Sequence, residues 1–307
     1  MKVLEKLVEV RAAASDEGKM KEFIIDYIET NSSDWSVQPE IIHGKGFQDC
    51  LIVVFGKPTT AIYAHMDSIG FSVGYDKELI KVGGPRAIDG LQLVGSDSQG
   101  EILTELMVIE EEEGHNSYQY IFEREIERGT LLTFKPNFRE TTEYVQSPYL
   151  DNRLGVWAAL KVAETLENGA IVFSTYEEHG GNSVAFCARY LMKEYDVFQA
   201  LIADITWVTT GVKHGGGVAV SMRDSGLPRR SYLDKIIELA KESKIDFQLE
   251  VESAGGSDGG MLQKSDLPID WCFIGAPEDN VHTPDEKVFK KDIESMVELY
   301  KYLMKHL

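Results

Sequence analysis

Two adjacent carboxylates, Glu177 and Glu178, follow the apolar run Ala170–Ser174, which reads as a buried strand. Like charges side by side repel, and burying either costs several kcal/mol unless a cation compensates. Taken alone, the pair would be a solvated turn. It does not stand alone. His65 and Asp67 sit at the end of the strand-like run "AIYAH", and Asp151 precedes a helix beginning near 153. Asp204 ends "ALIAD", and His282 follows "DWCFIG" through a loop. Imidazole and carboxylate, with no thiolate among them, are the donors that a pair of Zn²⁺ or Co²⁺ ions prefers. Adjacent residues on an extended chain point apart, so one of Glu177 and Glu178 can face a metal while the other faces the activated water. The pair reads as one ligand plus one general base.

Two local patterns strengthen this set. His65-x-Asp67 places both side chains on one face of an extended segment, and Asp67 can then hold the second imidazole nitrogen. After His282, the run Thr283-Pro284-Asp285-Glu286 predicts a helix start, with Thr283 as N-cap and Glu286 closing a capping box. His282 would then stand at a rigid helix entrance.

The elements that must position these groups alternate. Ser15 predicts the cap of a helix carrying Met20, Phe23, Ile24, Tyr27 and Ile28 on one face, and the runs "CLIVVF" and "AIYAH" follow as strands. After residue 150 helices and strands alternate again to the C-terminal helix, which means a sheet covered on both faces, with ligands bound beyond the carboxyl ends of its strands. Residues 71–146 have a different texture, with short β-rich pieces and Gly-Gly-Pro and Gly-Ser-Asp turns. The expected fold is α/β, a mixed, largely parallel central sheet with helices on both faces, plus an inserted small all-β, barrel-like domain. Residues 1–70 and 147–307 would form the catalytic domain, and 71–146 a lid or oligomerisation domain. The acidic run Glu110–Glu113 reads as a solvated strand end.

Composition limits the partners. The 307 residues carry 31 Lys+Arg against 51 Asp+Glu, a net charge of −20. Nucleic acid and anionic membrane would be repelled, whereas metal ions and cationic substrates would not. Cys50, Cys187 and Cys272 are scattered and odd in number, which suggests a reducing compartment. With no apolar run of spanning length and no signal-peptide core, a soluble, cytoplasmic protein is expected.

The ordered set "AHMDSIG", "YLDNRLGV", "YEEHGG", "IAD" and "NVHTPDE" resembles the clan MH metallopeptidases, and within them the glutamyl aminopeptidase family that includes the tetrahedral (TET) aminopeptidases. "AGGSDGGMLQKSDLPID" looks like that family's Gly-Gly-Thr-Asp segment, and the β insertion lies where the family has one. The resemblance implies that His65 and Asp204 bind one metal, Glu178 and His282 the other, and that Asp151 bridges them. Glu177 would be the general base and Asp67 would orient His65. It further implies a two-metal aminopeptidase acting on short peptides and assembled as a homo-oligomer, commonly of twelve subunits. Ser68 and His179 depart from the family pattern, and His179 and His214 are candidates for extra ligands or substrate contacts. The alternatives are an N-acyl amino acid deacylase of the same clan, an endoglucanase-type glycosidase with two carboxyls flanking one bond, and a non-catalytic metal-binding scaffold.

Overall fold

The computed structural model describes residues 1–110, 116–181 and 183–307. Among these, eleven strands form one sheet. Its middle consists of β3 (Ala61–His65), β12 (Gly169–Ser174), β13 (Gln199–Trp207) and β16 (Asp270–Asp279), in the order β12-β3-β13-β16 and all parallel. Outside them the pairing is mostly antiparallel. β2 (Leu51–Phe55) and β1 (Glu40–Ile42) extend one side. On the other lie β17 (Glu286–Phe289), β11 (Tyr144–Ser147) and β10 (Arg139–Glu140). β14 (Val218–Arg223) pairs antiparallel with β16 and carries β15 (Phe247–Val251) in parallel. The sheet is thus mixed, with parallel pairing concentrated at its centre.

Alternation along the central strands divides the core in two. Ile62 and Ala64, Ile171 and Phe173, and Leu201 and Ala203 face one side. That side is covered by α1 (Lys2–Glu9), α2 (Gly18–Asn31), α3 (Leu150–Ala163), α5 (Arg230–Ser243) and α7 (Lys290–His306). Their neighbours Ala61 and Tyr63, Ala170 and Val172, and Ala200 and Ile202 face α4 (Ser183–Tyr195) and α6 (Asp258–Lys264). Period-two burial on both faces is what a doubly covered sheet requires. α3 is buried all round, with Lys161 the sole residue of the helix not buried, as expected for a helix wedged between sheet and outer helices. It approaches β13 closely because Gly155 has no side chain: a Cβ there would collide with the carbonyl oxygen of Ala203.

The second sheet runs β5 (Leu79–Val82), β4 (Gly70–Val73), β9 (Leu131–Phe134), β6 (Gln92–Asp97), β7 (Gly100–Glu110), β8 (Asn116–Ile121), all antiparallel. A bridge between Glu78 and Gln119 brings its two ends together into a nearly closed barrel, filled by Phe71, Leu93, Leu106, Leu132 and Phe134. Residues 139–147 return to the large sheet. Of the acidic run, Glu110 ends β7, and Glu111–Glu113 lie outside the described residues.

Two local expectations are corrected. Ser15 does not cap α2: it has φ 83°, and its N–H donates to Glu17 at 3.0 Å. Thr283 to Glu286 do not start a helix. Residues 286–289 pair with β11 and β16 instead, and α7 begins at Lys290. Two waiting strand partners outweigh a local capping pattern, which is worth only ~1 kcal/mol.

Candidate metal centre

Strand register places the first histidine. Tyr63 of β3 pairs with Ile202 of β13, so two residues further on His65 and Asp204 stand level on neighbouring parallel strands. His65 Nε2 lies 3.5 Å from Asp204 Oδ2 and 3.2 Å from Asp151 Oδ1. The other carboxylate oxygen of Asp151 lies 3.4 Å from His282 Nε2, which is also 3.4 Å from Glu178 Oε2. Each triad, His65–Asp151–Asp204 and Asp151–Glu178–His282, offers donor atoms within 4.8 Å of one another. All five ligand candidates from the sequence are therefore assembled, and Asp151 turns one oxygen to each group.

The chain fixes each donor. Asn152 Nδ2 donates to the Ala203 carbonyl at 2.7 Å, while its Oδ1 accepts the N–H of Gly155 at 2.8 Å. This anchors the Asp151 end of α3 to the strand that carries Asp204; the Asp151–Asn152 peptide itself is cis. Glu286 accepts the N–H of His282 at 2.9 Å and that of Asp151 at 3.2 Å, so β17 clamps two donors. The Gly84 carbonyl, 3.1 Å from His282 Nδ1, accepts its proton and leaves Nε2 free for a metal. Arg153, fully buried, donates to the carbonyls of Met66 and Asp67 just beyond β3.

Glu177 and Glu178 are not on an extended strand. Tyr176 has φ 64°, and Glu177–His179 form a single 3₁₀ turn. Asp67 holds that turn, accepting the N–H of Glu177 at 3.1 Å and of Glu178 at 3.0 Å. Its Oδ1 also lies 3.5 Å from His65 Nδ1, at the outer limit of a hydrogen bond, and it favours the charged imidazole. Behind it, buried Glu17 accepts the N–H of Tyr176 at 3.2 Å. Sequence reasoning missed Glu17, Arg153 and Gly84, although "LDNR" and the Gly-Gly-Pro turn contain two of them, and it gave Glu286 a helix-capping role in place of this one.

The electrostatics are those of an acid-rich site. Burial, together with Asp204, Asp258 and Asp151, pushes the Glu177 carboxyl well above the usual range despite His65. Burial and the charge of Asp151 do the same to Glu178. Asp204 is pushed up to about 6 by burial and Asp151, against the opposing pull of His65. Burial would lower the His65 imidazole, but Asp204, Asp151 and Asp67 raise it well above 6.5. Asp151 alone is held low, because the two imidazoles outweigh its desolvation. Glu178 Oε1 is buried without a hydrogen-bond partner. Such a site is short of positive charge, and dications that accept both imidazole and carboxylate fit its donor set.

His179 and His214 do not join either triad. His179 Nδ1 accepts the N–H of Gly83 at 3.3 Å, and His214 pairs with Asp279 at 2.9 Å while stacking on Phe289. Ser68 holds the chain near Ala12 through its N–H and hydroxyl.

Residues 94–299 match the family model of the M42 glutamyl aminopeptidases. The chain belongs to that family. A putative aminopeptidase of Acetivibrio thermocellus is 32% identical over 164 residues, which are 50% of this chain and 49% of that one. The chain thus spans about half the length of this curated relative. The same fold is seen in an aminopeptidase of Desulfurococcus kamchatkensis (TM-score 0.86, 18% identity, 100% of this chain and 94% of that one). The Pyrococcus horikoshii TET1 peptidase superposes with TM-score 0.80 at 21% identity, covering 98% of each chain. Among the described residues no helix is long and apolar enough to cross a membrane.

Proposed function

We propose that this M42 protein is a dinuclear metal-dependent aminopeptidase that removes N-terminal residues from short peptides. The observation that carries the reading is Asp151 shared between two triads, with Glu177 beside them and in neither. His65, Asp151 and Asp204 would hold one ion and Asp151, Glu178 and His282 the other, with Zn²⁺ or Co²⁺ suited to these donors. When bound, two such ions supply Lewis-acid polarisation of the scissile carbonyl and make water a nucleophile near neutral pH. Glu177, lining the cavity, takes a proton from the attacking water and returns it to the leaving amine. Asp67 positions this base and Glu178 together through their backbone N–H groups. Two imidazoles joined through the shared Asp151 favour metal chemistry over a two-carboxyl glycosidase, which has no use for such a grouping.

The buried free thiols of Cys50, Cys187 and Cys272 support a cytoplasmic setting. A homo-oligomer is supported by exposed apolar residues on the β barrel, Ile80, Leu103 and Ile121. The P. horikoshii relative can assemble into a tetrahedron or a large octahedral shell. A twelve-subunit particle is the corresponding expectation, with the barrel, which begins at Gly70, contributing contacts or a lid; a monomer mass by light scattering at micromolar concentration would overturn it.

The deciding experiment depletes the protein of metal and reloads it with Zn²⁺, Co²⁺ or Mn²⁺. Hydrolysis of aminoacyl-nitroanilides should vanish and return. Full activity of metal-free protein refutes the mechanism, and turnover of N-acyl amino acids in place of aminoacyl substrates would make it a deacylase.

A further inference from the structure

The cavity that Glu177 and Glu178 enter, about 330 Å³, continues past the triads to a second acidic group. There it is lined by Asp224, Glu250 and Glu252, with Ile205, Trp207 and Phe273 as apolar wall. Glu250 is the unusual member. β15 reads Phe-Gln-Leu-Glu-Val, and its burial is inverted: Leu249 and Val251 are 42% and 62% exposed, while Glu250 is 2% exposed. A strand that turns its aliphatic residues to water and buries a carboxylate pays several kcal/mol for doing so.

No cation among the described residues pairs with that acid. Thr206 Oγ1 donates to Glu250 Oε1, and the hydroxyls of Ser221 and Thr206 favour its charged form without outweighing burial. No Lys, Arg or His nitrogen lies within 4.0 Å of a carboxylate oxygen of Asp224, Glu250 or Glu252 among the described residues. Arg223 is near, but its Nε is spent on the backbone carbonyls of Asp224 and Glu252. Arg86, also in the lining, is exposed. A register shift between Ser221 and Arg223 bends β14 just before Asp224, as bulges beside binding sites commonly do. Burial raises the carboxyls of both Asp224 and Glu250, and Arg223 only partly offsets it at Asp224.

Resting on the aminopeptidase reading, we propose that this arm of the cavity takes a cationic N-terminal side chain, lysine or arginine, read by Glu250 with Asp224 and Glu252. A long side chain that is apolar along its stem and charged at its tip matches an apolar wall leading to buried carboxylates. An aliphatic side chain would leave Glu250 desolvated and unpaired, and a glutamyl side chain would add repulsion.

The test is a panel of Lys-, Arg-, Leu-, Ala- and Glu-nitroanilides with the metal-loaded protein. Lysine and arginine should exceed leucine in kcat/KM by about 10- to 100-fold, the range of one charge-assisted contact. Glutamate should be slowest. Glu252→Gln, at a half-buried position, should lower the Lys-to-Leu ratio, and Glu250→Gln should lower it further. In parallel, calorimetry compares Lys-Ala with Leu-Ala on the Glu177→Gln protein, which reads binding without turnover. Leucine equal to or better than lysine in both assays overturns the proposal while leaving the aminopeptidase reading intact. So does a Lys-to-Leu ratio unmoved by Glu250→Gln, because the acids would then serve only the α-ammonium common to all substrates. If no nitroanilide is cleaved, the aminopeptidase reading fails, and the calorimetric preference alone decides whether the cavity selects a cation.

Discussion

Replacing Asp67 by Asn should loosen both ligand groups at once. The Asp67 carboxylate is fully buried and receives the N–H groups of Glu177 and Glu178 at 3.1 and 3.0 Å. Asparagine keeps the size but offers one acceptor oxygen, so one of the two N–H groups must face an amide NH₂. Losing a charge-assisted bond costs about 1.5–3 kcal/mol, and leaving its buried donor unsatisfied brings the total to about 2–4 kcal/mol. For a chain of this size that is a fall in melting temperature of roughly 3–6 °C, readable by calorimetry on the metal-free protein. The turn carries Glu178, and Asp67 Oδ1 stands 3.5 Å from His65 Nδ1, so both metal groups should lose affinity. The expected loss is about 10- to 100-fold, measured by competition with a chromophoric chelator. An unchanged melting temperature would refute the clamp. A lowered one with wild-type metal affinity would show that Asp67 supports the fold without tuning either ligand group.

Glu177→Gln should keep both ions and lose ~10²–10⁴-fold in turnover, the usual share of a general base, whereas Glu178→Gln should lose metal and regain some activity with excess metal. Metal analysis of the two variants separates them, and reversed behaviour would exchange their roles. Gly155→Ala should push α3 off β13, because the added methyl meets the Ala203 carbonyl, and the cost should be at least ~1–3 kcal/mol in urea unfolding. Glu17 has its carboxyl pushed from 4.5 up to about 7 by burial and by Asp67. The folded chain therefore holds this proton where the unfolded chain has released it, so stability falls as pH rises from about 4.5 through 7. The loss is at most about 3 kcal/mol, and Glu17→Gln should flatten this slope in metal-free protein. Equal slopes would show that Glu17 ionises normally.

The candidate ligand set was legible as a cluster because the central strands announce themselves and their exits carry the chemistry. "AIYAH", "AIVFS" and "ALIAD" have no competing helical reading, and parallel pairing brings their ends to one edge. His282 was found for a partly wrong reason. Its loop leads into β17, and Glu286, expected to cap a helix, binds the N–H groups of His282 and Asp151 instead. The same carboxylate serves either role, and of the two partner strands that decide between them β16 is near in sequence while β11, which pairs Ser147 with Glu286 itself, lies more than a hundred residues away. β15 and α6 escaped notice because "FQLEV" lies among polar residues and α6 contains Gly259 and Gly260.

What sequence could not rank was its acids. Of the 51 carboxylates, the site draws in Glu177, Glu178, Asp151, Asp204 and Asp67, and the layer behind them adds Glu17, Asp258, Glu278 and Glu286. Glu278 has no partner for either oxygen, and burial pushes it and Glu286 well above the usual carboxyl range. Asp258 is pushed up to about 7 by burial, although Ser174 donates to it at 2.5 Å. Local composition treats each of these as a surface residue, because the low-dielectric setting that makes them matter is created by α3, β17 and α6 closing over them. The sequence does show an excess of acid over base. The fold turns that excess into a concentrated negative field behind two imidazoles, where binding a dication relieves a repulsion already present in the folded chain. Removing acids from the rear layer, Glu278 for example, would therefore relieve folding strain and weaken the site's pull on metal together, which ties the stability of the core to the chemistry at its edge.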